Sequence, residues 1–184
     1  FYADHVARIM DVVRRSGKIP MLWADMALKY RDCLERLPDD ALLLYWNYAR
    51  DAGVDACKQL QHSGRPWFVC SGTHGWRRWM NDFDTASLNI SRLARIGQRF
   101  GASGFINTDW GDVGHVNALS NSWHGMILGA QCSWNVQSVP PGDFKNFDEA
   151  FSALEWGDSK GRSMKILREI ARQQKITWGE ISMW

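Results

Sequence analysis

The run Gly104-Phe105-Ile106-Asn107-Thr108-Asp109-Trp110-Gly111-Asp112 carries an apolar strand into a tryptophan flanked by carboxylates. A strand that stops in Asp-Trp-Gly-Asp sets an aromatic wall beside hydroxyl-binding oxygens at one rim, where a polar ring with apolar faces can be held. Sugar pockets are often built in this way. Weaker copies lie upstream: Ile19-Pro20-Met21-Leu22-Trp23-Ala24-Asp25 and Ala41-Leu42-Leu43-Leu44-Tyr45-Trp46-Asn47-Tyr48 are also apolar runs of strand length that close on Trp and then a polar residue.

Outward from these runs the chain alternates. A helix over about Tyr2–Ser16 leads to strand Ile19–Trp23, helix Leu28–Leu37, and strand Leu42–Tyr48 after the turn Pro38-Asp39-Asp40. Helix Val54–His62 ends at Ser63-Gly64 and is followed by strand Trp67–Ser71. Asp84 is placed to cap a long helix whose apolar stripe is Leu88, Leu93, Ile96 and Phe100, with Gly101 as its stop. Strand Gly104–Thr108 and helical segments over Asn117–Trp134 follow; beyond the break Val139-Pro140-Pro141-Gly142-Asp143, helices are expected over Phe147–Leu154 and Ser163–Gln174.

Repeated strand and helix argue for an α/β fold with a parallel sheet wrapped by helices, and the apolar strands agree. Gly72-Thr73-His74-Gly75 lacks the spacing of a dinucleotide phosphate loop and has no phosphate-binding Lys. A (β/α)₈ TIM barrel takes about 250 residues and eight strands. This chain supplies about four βα units, so it reads as the C-terminal half of such a barrel over 1–138, with a helical extension over 139–184 packing on it.

Composition narrows the function classes. With 184 residues, 45% of them hydrophobic, the chain can bury a sizeable core. A net charge of +2, without clustered Lys and Arg, offers no stripe for a phosphate backbone and argues against nucleic acid as a partner. No apolar run is long enough to cross a bilayer, so no membrane partner is expected. Cys33, Cys57, Cys70 and Cys132 lack metal-type spacing and are expected as buried free thiols. The chain begins at Phe1 in an amphipathic helix rather than a signal peptide and reads as an excerpt of something longer.

Eleven tryptophans need sorting. Trp67 sits inside a strand, and Trp123, Trp134 and Trp156 fall on helical patterns, so all four are expected in the core. Trp178 and Trp184 carry no signal. Trp23, Trp46 and Trp110 end strands, where α/β barrels place their sites, and Trp76 or Trp79 in the loop after Ser71 is a candidate pocket wall. Simpler roles compete elsewhere. Asp25 is also a candidate helix cap. Asp109, Asp112 and His115 make a poor metal site without a fourth ligand, and Gly111 and Gly114 serve a sharp turn. Asp148-Glu149 reads as surface charge, Arg77 and Arg78 as a solvated pair or a contact for a sugar hydroxyl, and His5, His62 and His124 as surface or satisfied core residues.

Trp23-Ala24-Asp25, Tyr45-Trp46-Asn47-Tyr48, Gly72-Thr73-His74-Gly75-Trp76 and Thr108-Asp109-Trp110-Gly111-Asp112-Val113-Gly114-His115, in that order, resemble the later strands of glycoside hydrolase family 20, the β-N-acetylhexosaminidases. The resemblance is best to the branch with a Trp-Gly-Asp ending and runs over roughly Phe1 to Asn135, with the tail similar to that branch's helical extension. It implies a retaining mechanism in which the substrate's acetamido oxygen attacks the anomeric carbon. In the family, an Asp-Glu pair at the end of the fourth strand orients the acetamido group and protonates the leaving oxygen. That strand would lie before Phe1, so no catalytic residue is expected in this chain. The resemblance implies no cofactor and no metal.

What carries over is the substrate-binding set. Trp23, Trp46 and Trp110 resemble the walls around the terminal N-acetylhexosamine. Asp112 resembles the acid that accepts its far hydroxyls, where family members more often have Glu. A family Tyr on the seventh strand is replaced here by Ser71 to His74, leaving Tyr48 or His74 as substitute donors. Asp25 and Trp76 complete the set. Two other readings stand beside this one: a carbohydrate-binding module without chemistry, and a different barrel glycosidase using Asp25 and Asp112 as its acid/base pair. A half-barrel exposes sheet edges, so the expected protein partner is the N-terminal half of a parent chain, or a second copy.

Overall fold

A computed structural model describes residues 1–183; Trp184 lies outside the described residues. The chain is a mixed α/β structure with a four-stranded sheet in the order β1-β2-β3-β4. The strands are β1 (Met21–Trp23), β2 (Leu42–Trp46), β3 (Trp67–Gly72) and β4 (Gly104–Thr108). β1 and β2 pair in parallel with Met21 opposite Leu42, and β2 and β3 with Leu43 opposite Trp67. Ser103 N donates to Trp67 O and Thr73 N to Thr108 O, so β4 also runs parallel to β3. Parallel neighbours need a crossover between them, and a helical segment supplies each one. The inner strands β2 and β3 are almost wholly buried, whereas β1 and β4 are partly exposed along their lengths.

The chain divides into two compact units. The first comprises Phe1–Asn47, Gly53–Cys70 and Ile96–Ile106. Its α1 (Tyr2–Arg15) buries Ala3, Val6 and Met10, the spacing of one helical stripe. The helix expected over Leu28–Leu37 is two helices, α2 (Asp25–Lys29) and α3 (Arg31–Arg36). Tyr30 between them is extended, and its carbonyl accepts the N–H groups of Cys33 and Leu34. That carbonyl starts α3 where the sequence has no capping side chain. Arg65, with its side chain almost wholly buried, donates to the carbonyls of Glu35, Leu37 and Pro38 at the end of α3. It satisfies acceptors that the helix cannot pair internally. α4 (Asp55–Ser63) buries Cys57 and Leu60 and ends at Gly64, whose φ of 69° suits a glycine. Trp67 is 2% exposed, as expected.

The second unit comprises Tyr48–Ala52, Ser71–Arg95 and the chain from Asn107 onward. It holds most of α5 (Phe83–Arg99) together with α6 (Ser120–Trp134), α7 (Lys145–Trp156), α8 (Arg162–Arg172) and α9 (Trp178–Ser182). Phe83, Phe151, Met164 and Ala171 form one of its core clusters, with Met80, Phe147 and Leu167 packed against it.

Several expectations fail in this unit. Trp123, Trp134 and Trp156 are not core residues: they are 45%, 91% and 44% exposed. α6 buries Ser122, His124, Gly125, Leu128, Gly129 and Cys132 instead. A Cβ on Gly125 would sit 3.2 Å from Thr73, and one on Gly129 only 2.6 Å from Asn107. The glycine face packs inward because only it allows that approach, which turns the aromatic face outward. Asp84 is not the cap of α5; Asp82 accepts from Thr85 N at 3.0 Å and from Thr85 Oγ1 at 2.8 Å. Asp84 instead binds Arg168 and Arg172.

Nor is Asp148 surface charge. Its carboxylate accepts from Arg168 Nε at 2.7 Å and from His124 Nε2 at 2.8 Å, tying α6, α7 and α8 together. Burial pushes Asp148 up, but the bonds from His124 and Arg168 win and hold it below the usual carboxylate range. His124, enclosed by Phe83, Phe147 and Phe151, is held below the usual imidazole range by burial, against the pull of Asp148. Cys57, Cys70 and Cys132 are buried free thiols; Cys33 is free but only partly buried. No helix among the described residues is long and apolar enough to cross a membrane.

Candidate functional site

The second unit brings Tyr48, His74, Trp76 and Trp110 together beyond the C-terminal ends of β3 and β4, within that unit's own residues. Thr108, the last residue of β4, places its hydroxyl 2.8 Å from the carbonyl of Ser71 and 3.3 Å from the Tyr48 phenol oxygen. The one hydroxyl proton goes to the carbonyl, which can only accept, so the phenol O–H completes the second contact. Trp110 Nε1 donates to the same phenol oxygen at 2.5 Å. Tyr48 is thereby fixed between a strand end and the exposed Trp110 ring. Its ring lies 4.9 Å from that of Trp76, and the His74 ring lies 4.6 Å from Trp76, tilted by 35°.

Gly72 makes this cluster possible. A Cβ there would meet Trp76 Cζ3 at 2.9 Å and Tyr48 Cδ1 at 3.1 Å, so only glycine lets both rings close over the backbone. Asn89 on α5 holds the same spot: its Oδ1 accepts from Gly72 N, and its Nδ2 donates to Ala49 O.

His74 is the most constrained member. Its φ is 58°, a region a non-glycine residue enters only when its surroundings hold it there. It is 8% exposed, and burial pulls it down to about 4, with Asp82 opposing and Arg78 reinforcing the shift. The imidazole is therefore neutral at pH 7. Its Nε2 is buried with no hydrogen-bond partner among the described residues.

Beneath the rings lies a polar layer that sequence reasoning misses. Asp109 accepts from Thr73 Oγ1 at 2.5 Å, Ser122 Oγ at 2.9 Å and His115 Nε2 at 3.3 Å. His115 Nδ1 faces Asn117 O at 3.2 Å, Asn117 Nδ2 donates to Asn81 Oδ1 at 2.6 Å, and Asn81 Nδ2 returns to Thr73 O at 2.9 Å. With both oxygens engaged, Asp109 joins the β3 and β4 loops to α6 rather than facing a substrate. Asn81, Asn117 and Ser122 give no local signal, since each is one polar residue whose partners are distant in sequence.

Asp112 lies on the same loop as Trp110, half-exposed and 3.9 Å from Arg77 Nε. Gly114 has φ of 84° and serves the turn as expected, but Gly111 does not take positive φ, and Val113 does, at 58°. Trp79 is exposed and packs on Trp178 at 5.5 Å. The remaining candidates belong to the first unit. Trp23 and Trp46 are the last residues of β1 and β2, both exposed, and Asp25 is the first residue of α2. A carboxylate in a first helical turn is favoured by the helix dipole, and the cap position itself is taken by Ala24.

The arrangement offers aromatic faces fixed by hydrogen bonds at their polar ends, a neutral buried imidazole and one solvent-facing carboxylate beside an arginine. Among the described residues no group of three or more His, Cys, Asp or Glu is placed to hold a metal ion. No family model matches the chain, and no curated protein matches it in sequence.

Proposed function

We propose that this chain is the C-terminal half of a (β/α)₈ glycosidase barrel of the family 20 kind, with Tyr48, His74, Trp76, Trp110 and Asp112 contributing to the binding of a terminal β-linked N-acetylhexosamine. The observation that carries the reading is the aromatic cluster at the C-terminal ends of parallel strands, where the Trp110 and Tyr48 rings are locked by a shared hydrogen bond. Barrel enzymes bind substrate at that end. Locked rings suit a sugar's apolar face, because little conformational freedom remains to be lost on binding. Asp112, solvent-facing on the Trp110 loop, can accept from sugar hydroxyls.

The outer strands support a sheet that continues elsewhere: Met21 of β1 is exposed, and every residue of β4 is only partly buried. A half-barrel leaves such edges for its other half to cover. In this reading the acetamido-orienting Asp and the acid Glu come from the preceding half, and the reaction is substrate-assisted with retention. Asp109 is unsuited to replace them, since its oxygens are occupied by Thr73, Ser122 and His115.

The test is hydrolysis of chromogenic N-acetyl-β-glucosaminide and N-acetyl-β-galactosaminide by this chain alone and by the longest natural chain that contains it. Turnover by the longer chain only, abolished by removing an upstream Asp-Glu pair, is the expected result. Turnover by this chain alone that is lost in Asp25→Asn or Asp112→Asn would replace the proposal with a glycosidase using those acids. Glycan binding that depends on Trp110, with no turnover in either chain, would leave a carbohydrate-binding module.

A further inference from the structure

The loops that carry Trp76 and Asp112 are held by one segment of the second unit, residues 174–182. Gln174 Oε1 accepts from the backbone N–H groups of Trp79 and Met80, both at 3.1 Å, while its Nε2 donates to Met80 O at 2.9 Å. Trp79 Nε1 donates to Ile176 O at 3.2 Å, and Gly179 N donates to Arg77 O at 3.0 Å. On the other loop, Trp178 Nε1 donates to Val113 O at 2.8 Å.

These contacts fall on particular residues. Arg77 and Val113 both take positive φ, 59° and 58°, although neither is glycine. Each gives its carbonyl to the 174–182 segment. Strained backbone of this kind persists only where neighbours over-determine it. Arg77 directly follows Trp76 and Val113 directly follows Asp112, so the segment grips each loop one residue from a candidate sugar contact. The segment is tied within itself, since Thr177 and Glu180 close a reciprocal capping box at the start of α9. It also fits tightly, since a Cβ on Gly179 would lie 2.9 Å from Arg77 Cβ.

We propose that Gln174, Trp178 and Gly179 are positioning residues, forming a strap that sets the Trp76 and Asp112 loops in their binding geometry. The part of this that concerns sugar rests on the function proposed above; the strap's control of the loops does not. Walls that hold the ring alike in ground and transition states contribute uniform binding, so loosening them raises KM and leaves kcat nearly unchanged.

The experiment uses the longest natural chain containing these residues, as wild type, Trp178→Phe and Gly179→Ala. Trp178→Phe removes one N–H and keeps an aromatic ring, so it tests the strap even where Gly179→Ala folds poorly. Amide hydrogen exchange is followed over 72–80 and 111–116, with α6 as internal reference, alongside steady-state hydrolysis of chromogenic N-acetyl-β-glucosaminide. Exchange is expected to quicken about fivefold in 111–116 for Trp178→Phe and in 72–80 for Gly179→Ala, with α6 unchanged. KM is expected to rise about fivefold while kcat stays within about twofold. Unchanged exchange in both loops overturns the proposal, and so does an equal acceleration across α6, which would make the segment a general stability element. Loosened loops in a protein whose wild type shows no turnover keep the strap and remove the glycosidase reading.

Discussion

Acidification should destabilise this protein through His74. The folded imidazole is held at about 4 by burial, against about 6.5 when unfolded. Because the folded value lies below the unfolded one, the unfolded state binds the proton first as pH falls. Stability is then full above about pH 6.5 and drains away down to about pH 4. The difference of about 2.5 pH units corresponds to about 3.4 kcal/mol in all, of which about 2.5 kcal/mol is lost by pH 4.5. His124, also lowered by burial, acts in the same direction. Asp84 and Asp148 are lowered too, but as acids their stabilisation is full above the ordinary carboxylate range and is lost as pH falls through that range towards their lower folded values. Comparison with His74→Asn isolates the residue, since Asn tolerates the φ of 58° and does not titrate. Urea unfolding followed by tryptophan fluorescence at pH 7 and pH 4.5 should show the wild type losing about 2.5 kcal/mol more than the variant. Equal losses in the two proteins would refute the argument, since burial would then not hold the folded imidazole down.

Tyr48→Phe removes the oxygen that Trp110 Nε1 and Thr108 Oγ1 share, and should loosen the Trp110 ring. Binding of N-acetylglucosamine, read by fluorescence titration or calorimetry, is expected to weaken about five- to tenfold, the effect of about 1 to 1.4 kcal/mol; unchanged affinity would mean that the lock plays no part. Asp148→Asn leaves the buried Arg168 without its closest carboxylate and should cost about 3 to 5 kcal/mol in urea unfolding at pH 7. A loss below about 1 kcal/mol would show that Asp84 alone suffices for Arg168.

The four strands were legible because each is an apolar run bounded by turn residues, and β4 matches its expected bounds of Gly104–Thr108. Helix faces were less legible where small residues decide the packing. On α6 a hydrophobicity count favours burying Trp123 and Trp134, but the glycines that touch Thr73 and Asn107 set the inward face. Acidic residues proved ambiguous for a related reason. Asp82 and Asp84 flank the start of one helix, and which of them caps it depends on where Arg168 and Arg172 arrive from far along the chain. At the site, aromatic residues at strand ends were visible as local pattern. The layer of Asp109, Asn81, Asn117 and Ser122 beneath them was not, because its bonds span loops and α6.

The placement of strain follows the same division. Among the described residues the non-glycine positions with positive φ are His74, Arg77 and Val113, all on the loops after β3 and β4. Each costs of order 1 to 3 kcal/mol, more for the β-branched Val113. Each has its carbonyl taken by a donor from outside its own turn: Asp82 N for His74, Gly179 N for Arg77 and Trp178 Nε1 for Val113. Strain spread at random over a chain would carry no functional meaning. Strain confined to the loops that bear Trp76, Trp110 and Asp112, and offset there by convergent hydrogen bonds, is what a preorganised binding surface requires. In the proposed function the aromatic cluster receives a ligand with one apolar face, a reading supported by the exposure of Trp110 and by the strained backbone of the loops around it.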